Sequence, residues 1–215
     1  MRPLLVLLLL LQAGSLRAQA KYDAALVVQK GGHEIGREEF SISRSGARSG
    51  GSLLTSNARY PAASPTTRIE TTLERTPDLG IAKFQLAVQA PEGNVVILAA
   101  GSGTRLIVRS VTRGAEAGRE MPGGRDIVLL DDGVYSLYGA IADLATPVGA
   151  RLTAIFPRSG RRATFTARRE PGDGPETVRT QLTGDITGTM ITDNEGHLVR
   201  LELPAAGVVV ARATK

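Results

Sequence analysis

The chain has 215 residues, of which 42% are hydrophobic and 22% charged, so it is not an intrinsically disordered chain. It contains no cysteine, which excludes disulfides, thiolate metal sites and a cysteine nucleophile. The 25 glycines and 11 prolines exceed average usage and indicate many turns, and therefore many short strands.

The first twenty residues have the order of a secretory signal peptide. Arg2 supplies a positive charge, residues 4–11 form an unbroken apolar run, and Ala18-Gln19-Ala20 is a small-x-small cleavage signal. The run is too short for a membrane anchor, which needs about 20 apolar residues. A lipoprotein would need a cysteine after the run. We therefore predict that residues 1–20 are removed, with cleavage after Ala18 as the alternative. One domain over 21–215, without stable membrane insertion, would remain in the periplasm or be secreted.

The net charge of +5 does not indicate a nucleic-acid binder. Loss of Arg2 and Arg17 with the signal would lower it to +3, and the remaining arginines are spread along the chain rather than clustered. Aromatic residues make up only 4% of the chain, which leaves few surfaces for stacking bases. We therefore expect no nucleic-acid partner.

Alternation of apolar and polar residues dominates the mature chain and predicts strands. In residues 66–75, Ile69, Thr71 and Leu73 face one side and the charged residues face the other. Residues 95–100 are apolar on both faces, which predicts a central strand with a cover. A turn is expected at the glycine-rich residues 31–36. The strands predicted in this half are 22–30, 37–44, 52–60, 66–75, 81–90, 95–100 and 104–112.

Residues 134–145 break this alternation. Asp131 or Asp132 is placed to cap the first turn of a helix, and Thr146-Pro147 to end it. We therefore predict an amphipathic α-helix over 134–145 with one face buried. The apolar residues on that face are spaced by three, four and three positions: Val134, Leu137, Ile141 and Leu144.

Strands return after the helix. A hairpin loop is expected at 193–196, where Gly196 suits a positive φ. The predicted strands are 151–157, 161–169, 177–183, 187–192, 197–203 and 208–213. A sheet near ten strands must curl or split. The predicted fold class is therefore mainly β: a curled antiparallel sheet, a half-barrel of about 10–12 strands, around one amphipathic α-helix.

This layout resembles the LolA/LolB-like half-barrels of the bacterial envelope, and more closely a set of uncharacterised exported relatives. The resemblance covers about half of the chain. It runs from Asp131-Asp132 and the helix 134–145, through strands around Pro157-Arg158, to residues 193–201 and a last strand near Arg212. It implies an unclosed β-barrel with an apolar cavity and a helical lid. Lol-type relatives carry the acyl chains of lipoproteins, so it also implies a lipid or an acylated protein as partner, although no cargo-specific residue is matched.

Motifs for catalysis or cofactors are weak. Residues 101–105, Gly-Ser-Gly-Thr-Arg, lack the lysine of a phosphate loop and are predicted to form a hairpin turn. His33-Glu34 has no second histidine four residues away, so His33 is predicted to be a solvated turn residue. Asp193, Glu195 and His197 alternate and could face a metal, but turn chemistry explains them better. No Gly-x-Ser-x-Gly elbow is present. We predict no catalytic residue, no metal and no cofactor.

The leading functional hypothesis is non-catalytic binding of a lipid or other apolar ligand in the concave face of the sheet. Two alternatives stay open: a structural or interaction protein with a packed core that uses a sheet edge, and a hydrolase with an unrecognised site around Asp131, Asp132 and Tyr138. The sequence does not identify a protein partner. The residues predicted to line the apolar cavity are Phe84, Leu86, Leu137, Tyr138, Ile141, Phe156 and Phe165.

Overall fold

The computed structural model describes residues 20–44 and 51–214, and the predicted signal peptide lies outside them apart from Ala20. The described chain forms one curled sheet of 15 strands, which confirms the mainly β class and exceeds the predicted number of strands. Neighbouring strands are antiparallel except for β9 and β10. The strands are β1 Ala20–Lys30, β2 His33–Arg44, β3 Ser52–Tyr60, β4 Thr67–Arg75, β5 Ile81–Gln89, β6 Val95–Ser102, β7 Arg105–Thr112, β8 Ala115–Pro122, β9 Ile127–Leu129, β10 Ala150–Phe156, β11 Arg161–Pro171, β12 Thr177–Gly184, β13 Gly188–Asp193, β14 Leu198–Leu203 and β15 Val208–Arg212.

The order of the strands brings the two edges of the sheet together. Strands follow in the order β8-β7-β6-β5-β4-β3-β2-β1-β15-β14-β13-β12-β11-β10-β9, so the first and last strands pair in the middle. The edges, β8 and β9, are separated along the chain only by residues 123–126. Across the gap, the guanidinium of Arg119 on β8 donates to the carbonyl of Pro157, next to β10, at 2.9 Å. The sheet is therefore a nearly closed barrel.

Interior side chains follow rows that cross the strands in register. Leu54 on β3 opposes Leu73 on β4, which opposes Phe84 on β5, which opposes Ala99 on β6. All four are buried. Because side chains alternate along a strand, the residues between them face outward, and the row forms part of the apolar wall.

The helix predicted over 134–145 is shorter than expected and divided. A 3-10 turn at Ser136–Tyr138 leads into α1, Gly139–Ala142, and Val134 instead forms a β-bridge with Asp131. Residues 134–138 are all buried, so packing on every side fixes this segment and regular helical hydrogen bonding is not needed. No helix among the described residues is long and apolar enough to cross a membrane.

Two strands, β8 and β9, were not predicted, and β2 begins four residues earlier than predicted. In β8 the sequence shows no alternation of apolar and polar residues, and β9 is a three-residue apolar run. The turn expected at 31–36 is confined to Gly31-Gly32, and β2 begins with an exposed His33. The chain turns within two residues because both glycines have positive φ angles, 58° and 82°.

The cover predicted for residues 95–100 is not found in the described structure. The inward side chains of β6 are buried, but its outer face is open, with Leu98 36% exposed and Ala100 also exposed. The hairpin loop expected at 193–196 is confirmed, and Gly196 has a φ of 82°.

Candidate functional site

The seven residues predicted to line a cavity lie together inside the barrel, in one hydrophobic cluster. A side chain beside a space that admits water keeps exposed surface, so side chains this deeply buried pack against their neighbours. The segment 130–146, which we name the plug, fills the concave face of the sheet. The seven residues are each 3% exposed or less: Phe84, Leu86, Leu137, Tyr138, Ile141, Phe156 and Phe165.

A buried carboxylate holds the first half of the plug. Glu38 on β2 is fully buried and accepts hydrogen bonds from the backbone N–H of Tyr135 at 2.7 Å and of Ser136 at 3.2 Å. The hydroxyl of Ser56 on β3 also donates to Glu38, at 2.6 Å. Burial raises the pKa of Glu38, and the hydrogen bonds that it accepts oppose this rise. Glu38 therefore takes the capping role that the sequence assigned to Asp131 or Asp132.

A signal for Glu38 was present in the sequence. Glu38 lies two residues before Phe40 on the same strand, and residues two apart share a face. The alternation in residues 37–44 places Phe40 and Ile42 on one face, and Glu38 falls on that same face. The acidic residue looked ordinary because it stands between Arg37 and Glu39, which do face water.

The β10–β11 hairpin clamps the start of the plug. Arg158 donates to Asp131 Oδ1 at 2.8 Å, and the same oxygen accepts the N–H of Gly133 at 3.0 Å. Arg161 pairs with Asp132 at 3.1 Å and lies over the ring of Phe156, 3.4 Å from its centroid. These two arginines hold the plug against the hairpin through consecutive carboxylates.

The far end of the plug is held by other strands. Asp143 accepts a hydrogen bond from Arg75 on β4 at 2.9 Å, and Arg44 on β2 lies 3.7 Å away. Arg169 on β11 donates to the carbonyl of Ala142 at 2.7 Å. The plug is thus fixed to the wall at both ends.

Of the three residues proposed for a hydrolase, Asp131 and Tyr138 are buried away from solvent in the described structure. Asp131 is 2% exposed and Tyr138 is 3% exposed, while Asp132 lies at the surface. Burial raises the pKa of Asp131, although Arg158 opposes the rise, and burial also raises the pKa of Tyr138. Asp131 and Asp132 form ion pairs with Arg158 and Arg161, which hold the start of the plug against the hairpin.

The turn at 193–196 forms a second polar cluster, at the seam between the first and last strands. His197 stacks on Tyr22 with ring centroids 3.7 Å apart and planes inclined by 3°. Asp193 Oδ1 accepts the backbone N–H groups of Glu195 at 3.2 Å and of His197 at 2.9 Å. Arg212 donates to the other oxygen of Asp193 at 2.9 Å. Asp193 therefore closes the hairpin, as the turn interpretation predicted.

An open groove of about 1130 Å³ lies on the outer face of β1 to β5. Two in-register rows of outward residues line it, one of them polar and uncharged: Ser41, Thr55 and Thr72. The second row contains Glu39, Asn57 and Glu70. Short side chains leave the space, and hydroxyl, amide and carboxylate groups line it together with apolar surface, including that of Tyr22 and Ala24. Alternating polar residues are typical of any wet face, so no sequence pattern distinguishes this groove.

The fold and its interior define a class of protein: a nearly closed β-barrel whose concave face is filled by a segment of its own chain. The chain is similar in structure to a β-barrel-like protein of the DUF1849 domain of unknown function from Brucella abortus. The TM-score is 0.51 and the identity 9%, over 89% of this chain and 93% of that chain. A DUF1089 family protein from Pseudomonas aeruginosa aligns with a TM-score of 0.43 and 13% identity, over 90% of this chain and 95% of that chain.

No family model matches the chain, and no curated protein matches it in sequence. The likeness to the Brucella protein shows the barrel fold alone. The resemblance to LolA/LolB-like proteins stays a prediction.

Proposed function

We propose that the protein is an exported, non-catalytic interaction protein of the bacterial envelope, with a packed barrel that presents its outer surface and sheet edge to partners. The observation that carries this proposal is the filled interior. The residues that would line an apolar cavity are 3% exposed or less beneath the plug. A carrier needs room inside, whereas a scaffold needs a rigid core.

The ties between plug and wall support the same function. They come from six side chains on five elements: Glu38, Tyr60, Arg75, Arg158, Arg161 and Arg169. Side chains that converge from so many strands onto one segment make its position unique. The outer face, in contrast, carries the open groove, and the outer edge of β8 has no pairing strand in the described structure. A partner can bind at either place without rearranging the core.

Export is proposed from Arg2, the apolar run 4–11 and the Ala18-Gln19-Ala20 signal. N-terminal sequencing of the protein recovered from the periplasm of a Gram-negative host tests this, with Lys21 or Gln19 expected as the first residue.

Native mass spectrometry tests the packed core. The protein, produced from the full chain in a Gram-negative host, is purified from the periplasm and weighed before and after organic extraction. We expect one mass, that of the polypeptide alone, and no mass increase on titration with phospholipid in detergent. A lipid that co-purifies in stoichiometric amount would overturn the packed-core proposal.

A second candidate is the apolar carrier, with a lipid or an acylated protein as its ligand. It is favoured by the chemistry of the plug's ties, which are polar side-chain contacts that can open without breaking a strand pair. Asp143→Asn weakens the ion pair with Arg75, so for a carrier this variant binds a fluorescent fatty acid more readily than wild type. Asp173→Asn, which weakens an exposed pair with Arg179, is the matched control. If all three proteins fail to bind the fatty acid, the carrier is excluded.

A further inference from the structure

The outer edge of β8 has no pairing strand in the described chain. All eight of its residues pair with β7, from Ala115 opposite Thr112 to Pro122 opposite Arg105. On its other side, the sheet order ends. Seven of its eight residues are exposed, and only Met121 is buried.

The backbone groups that this edge offers can be assigned from the hairpin. Thr112 and Ala115 close a two-residue turn, and such a closing pair is hydrogen-bonded. Hydrogen-bonded pairs alternate along an antiparallel ladder, so Glu116, Gly118 and Glu120 direct their N–H and C=O groups away from β7. Pro122 falls in the same set, at a position where a missing N–H costs no ladder bond.

The charged side chains of β8 protect its edge against an apolar strand but leave it open to a strand of complementary charge. Edges are commonly blocked by an inward charge, a proline, a bulge or a covering segment. The one inward charge, Arg119, is engaged with the carbonyl of Pro157, and the proline stands at the end of the strand. At Gly118 a side chain would meet no atom within 4 Å, so the middle of the edge is open.

The side chains along the edge define the partner's chemistry. Glu116 and Glu120 flank Gly118 on the outer face of the sheet. Each forms an ion pair with an arginine of the neighbouring strand β7, Arg109 or Arg105, on the side away from the open edge. A strand added at this edge places residues directly opposite the two carboxylates and the glycine. Basic residues opposite the carboxylates continue the alternating charges, and an aromatic residue opposite Gly118 covers the exposed backbone.

We propose that β8 accepts an extended segment of a partner protein by strand addition, and that this segment has basic residues two positions before and after a central aromatic residue. The proposal rests on the proposed interaction function and names its surface and its class of partner. Backbone hydrogen bonds provide affinity in this mode of recognition, and alternate side chains provide specificity.

The test uses a synthetic peptide of alternating threonine and valine with a central tyrosine and a lysine two residues to each side of it. Amide hydrogen exchange is measured on the full-length processed protein with and without the peptide. We expect new protection at Glu116, Gly118 and Glu120 and no change at their neighbours, which already bond to β7. A peptide with glutamates in place of the lysines should bind about threefold more weakly.

Two substitutions at one position provide the matched control. Gly118→Pro removes an outward N–H and blocks the edge, and we expect it to weaken peptide binding by about tenfold or more. Gly118→Ala keeps the N–H and its Cβ meets no neighbour, so it should retain most of the peptide binding that Gly118→Pro loses. Glu116→Gln with Glu120→Gln should remove the preference for lysine while leaving the protection pattern unchanged.

Other outcomes overturn the assignment. Protection at Thr55 and Thr72 would place the peptide in the outer groove instead, and absence of binding would exclude this class of partner. A dimer in sedimentation, with the same three amides protected before peptide is added, would assign the edge to a second copy of the chain. A lipid found by native mass spectrometry contradicts the interaction function itself, so the two failures are distinguishable.

Discussion

The two edges of the sheet follow one another in the chain but have opposite surroundings. β9 has three residues, all apolar and buried, and the plug continues directly from it. β8 has eight residues, seven of them exposed, with alanine, glycine and charged side chains. A strand edge can therefore be protected by burial or left open to solvent within one barrel, and the open edge is the one suited to a partner.

The largest expected effect comes from a charge placed in the buried edge. Val128 on β9 is 2% exposed, and Val128→Asp would bury a carboxylate with no cation to pair it, which costs about 4 kcal/mol or more. Ala117→Asp on β8 places the same group in water and should change the free energy of unfolding by less than about 0.5 kcal/mol. Urea unfolding followed by circular dichroism measures both. Equal urea midpoints for the two variants would show that β9 tolerates a charge as well as β8 does, and that burial does not distinguish the two edges.

The next largest effect concerns the carboxylate that joins the plug to the wall. Glu38→Ala leaves the N–H groups of Tyr135 and Ser136 without an acceptor and should cost about 3 kcal/mol. Glu39→Ala, one residue away on the wet face, should cost less than about 0.5 kcal/mol. Urea unfolding measures the cost, and amide exchange at Tyr135 and Ser136 shows whether the plug is released. If Glu39→Ala lowered the free energy of unfolding more than Glu38→Ala, a residue other than Glu38 would have to hold the plug to the wall.

The buried Glu38 is also expected to make the stability of the fold depend on pH. Burial raises the pKa of Glu38 above its ordinary value of 4.5, so the folded chain keeps a proton that the unfolded chain has already released. The contribution of Glu38 to stability is therefore present at lower pH and declines as the pH rises through the raised pKa. The wild type should show this decline, and Glu38→Ala should lack it.

The sequence was informative where one periodic pattern determined the structure. Alternation located β3, β4, β5 and most other strands. Helical spacing correctly identified Val134, Leu137 and Ile141 as buried, but Leu144 on the same predicted face is only half-buried. These sequence patterns failed where tertiary contacts determine the local structure. The length of α1 depends on enclosure by the barrel, and β8 has no apolar face that could mark it as a strand.

The choice between a ligand carrier and a packed scaffold depends on the empty volume inside the barrel, which the sequence does not reveal. Phe84, Ile141 and Phe165 were correctly placed inside, but the same pattern fits a lined cavity and a packed core. The groove and the open edge were missed because neither has a sequence pattern that differs from an ordinary solvent-exposed surface. Only the register of the strands shows that Glu116 and Glu120 flank an open glycine.

The seam between β1 and β15, midway between the edges, is predicted to respond to acid. Burial lowers the pKa of His197 below its ordinary value of 6.5, although Asp193 and Glu195 oppose this, and Arg44 adds to it. The folded state therefore favours the neutral ring, and stability should fall as the pH decreases through the ordinary histidine pKa of 6.5. Thermal unfolding above and below this pH measures the loss, and His197→Gln should remove it. A profile that is the same in both proteins would show that the seam does not respond to protonation of His197.

The smallest effect would come from a glycine on the open edge. In Gly118→Val the new side chain meets open space and the residue has a higher strand propensity, so stability should rise by about 0.5 kcal/mol. Gly101→Val on β6 is the matched control, because a Cβ there would collide with the carbonyl oxygen of Ile81, and we expect it to destabilise the barrel. Valine at 118 also makes the edge more apolar, so it should increase self-association, measured by light scattering against Gly118→Ala. A rise in stability without self-association would show that edge pairing at β8 requires the complementary charges proposed for its partner.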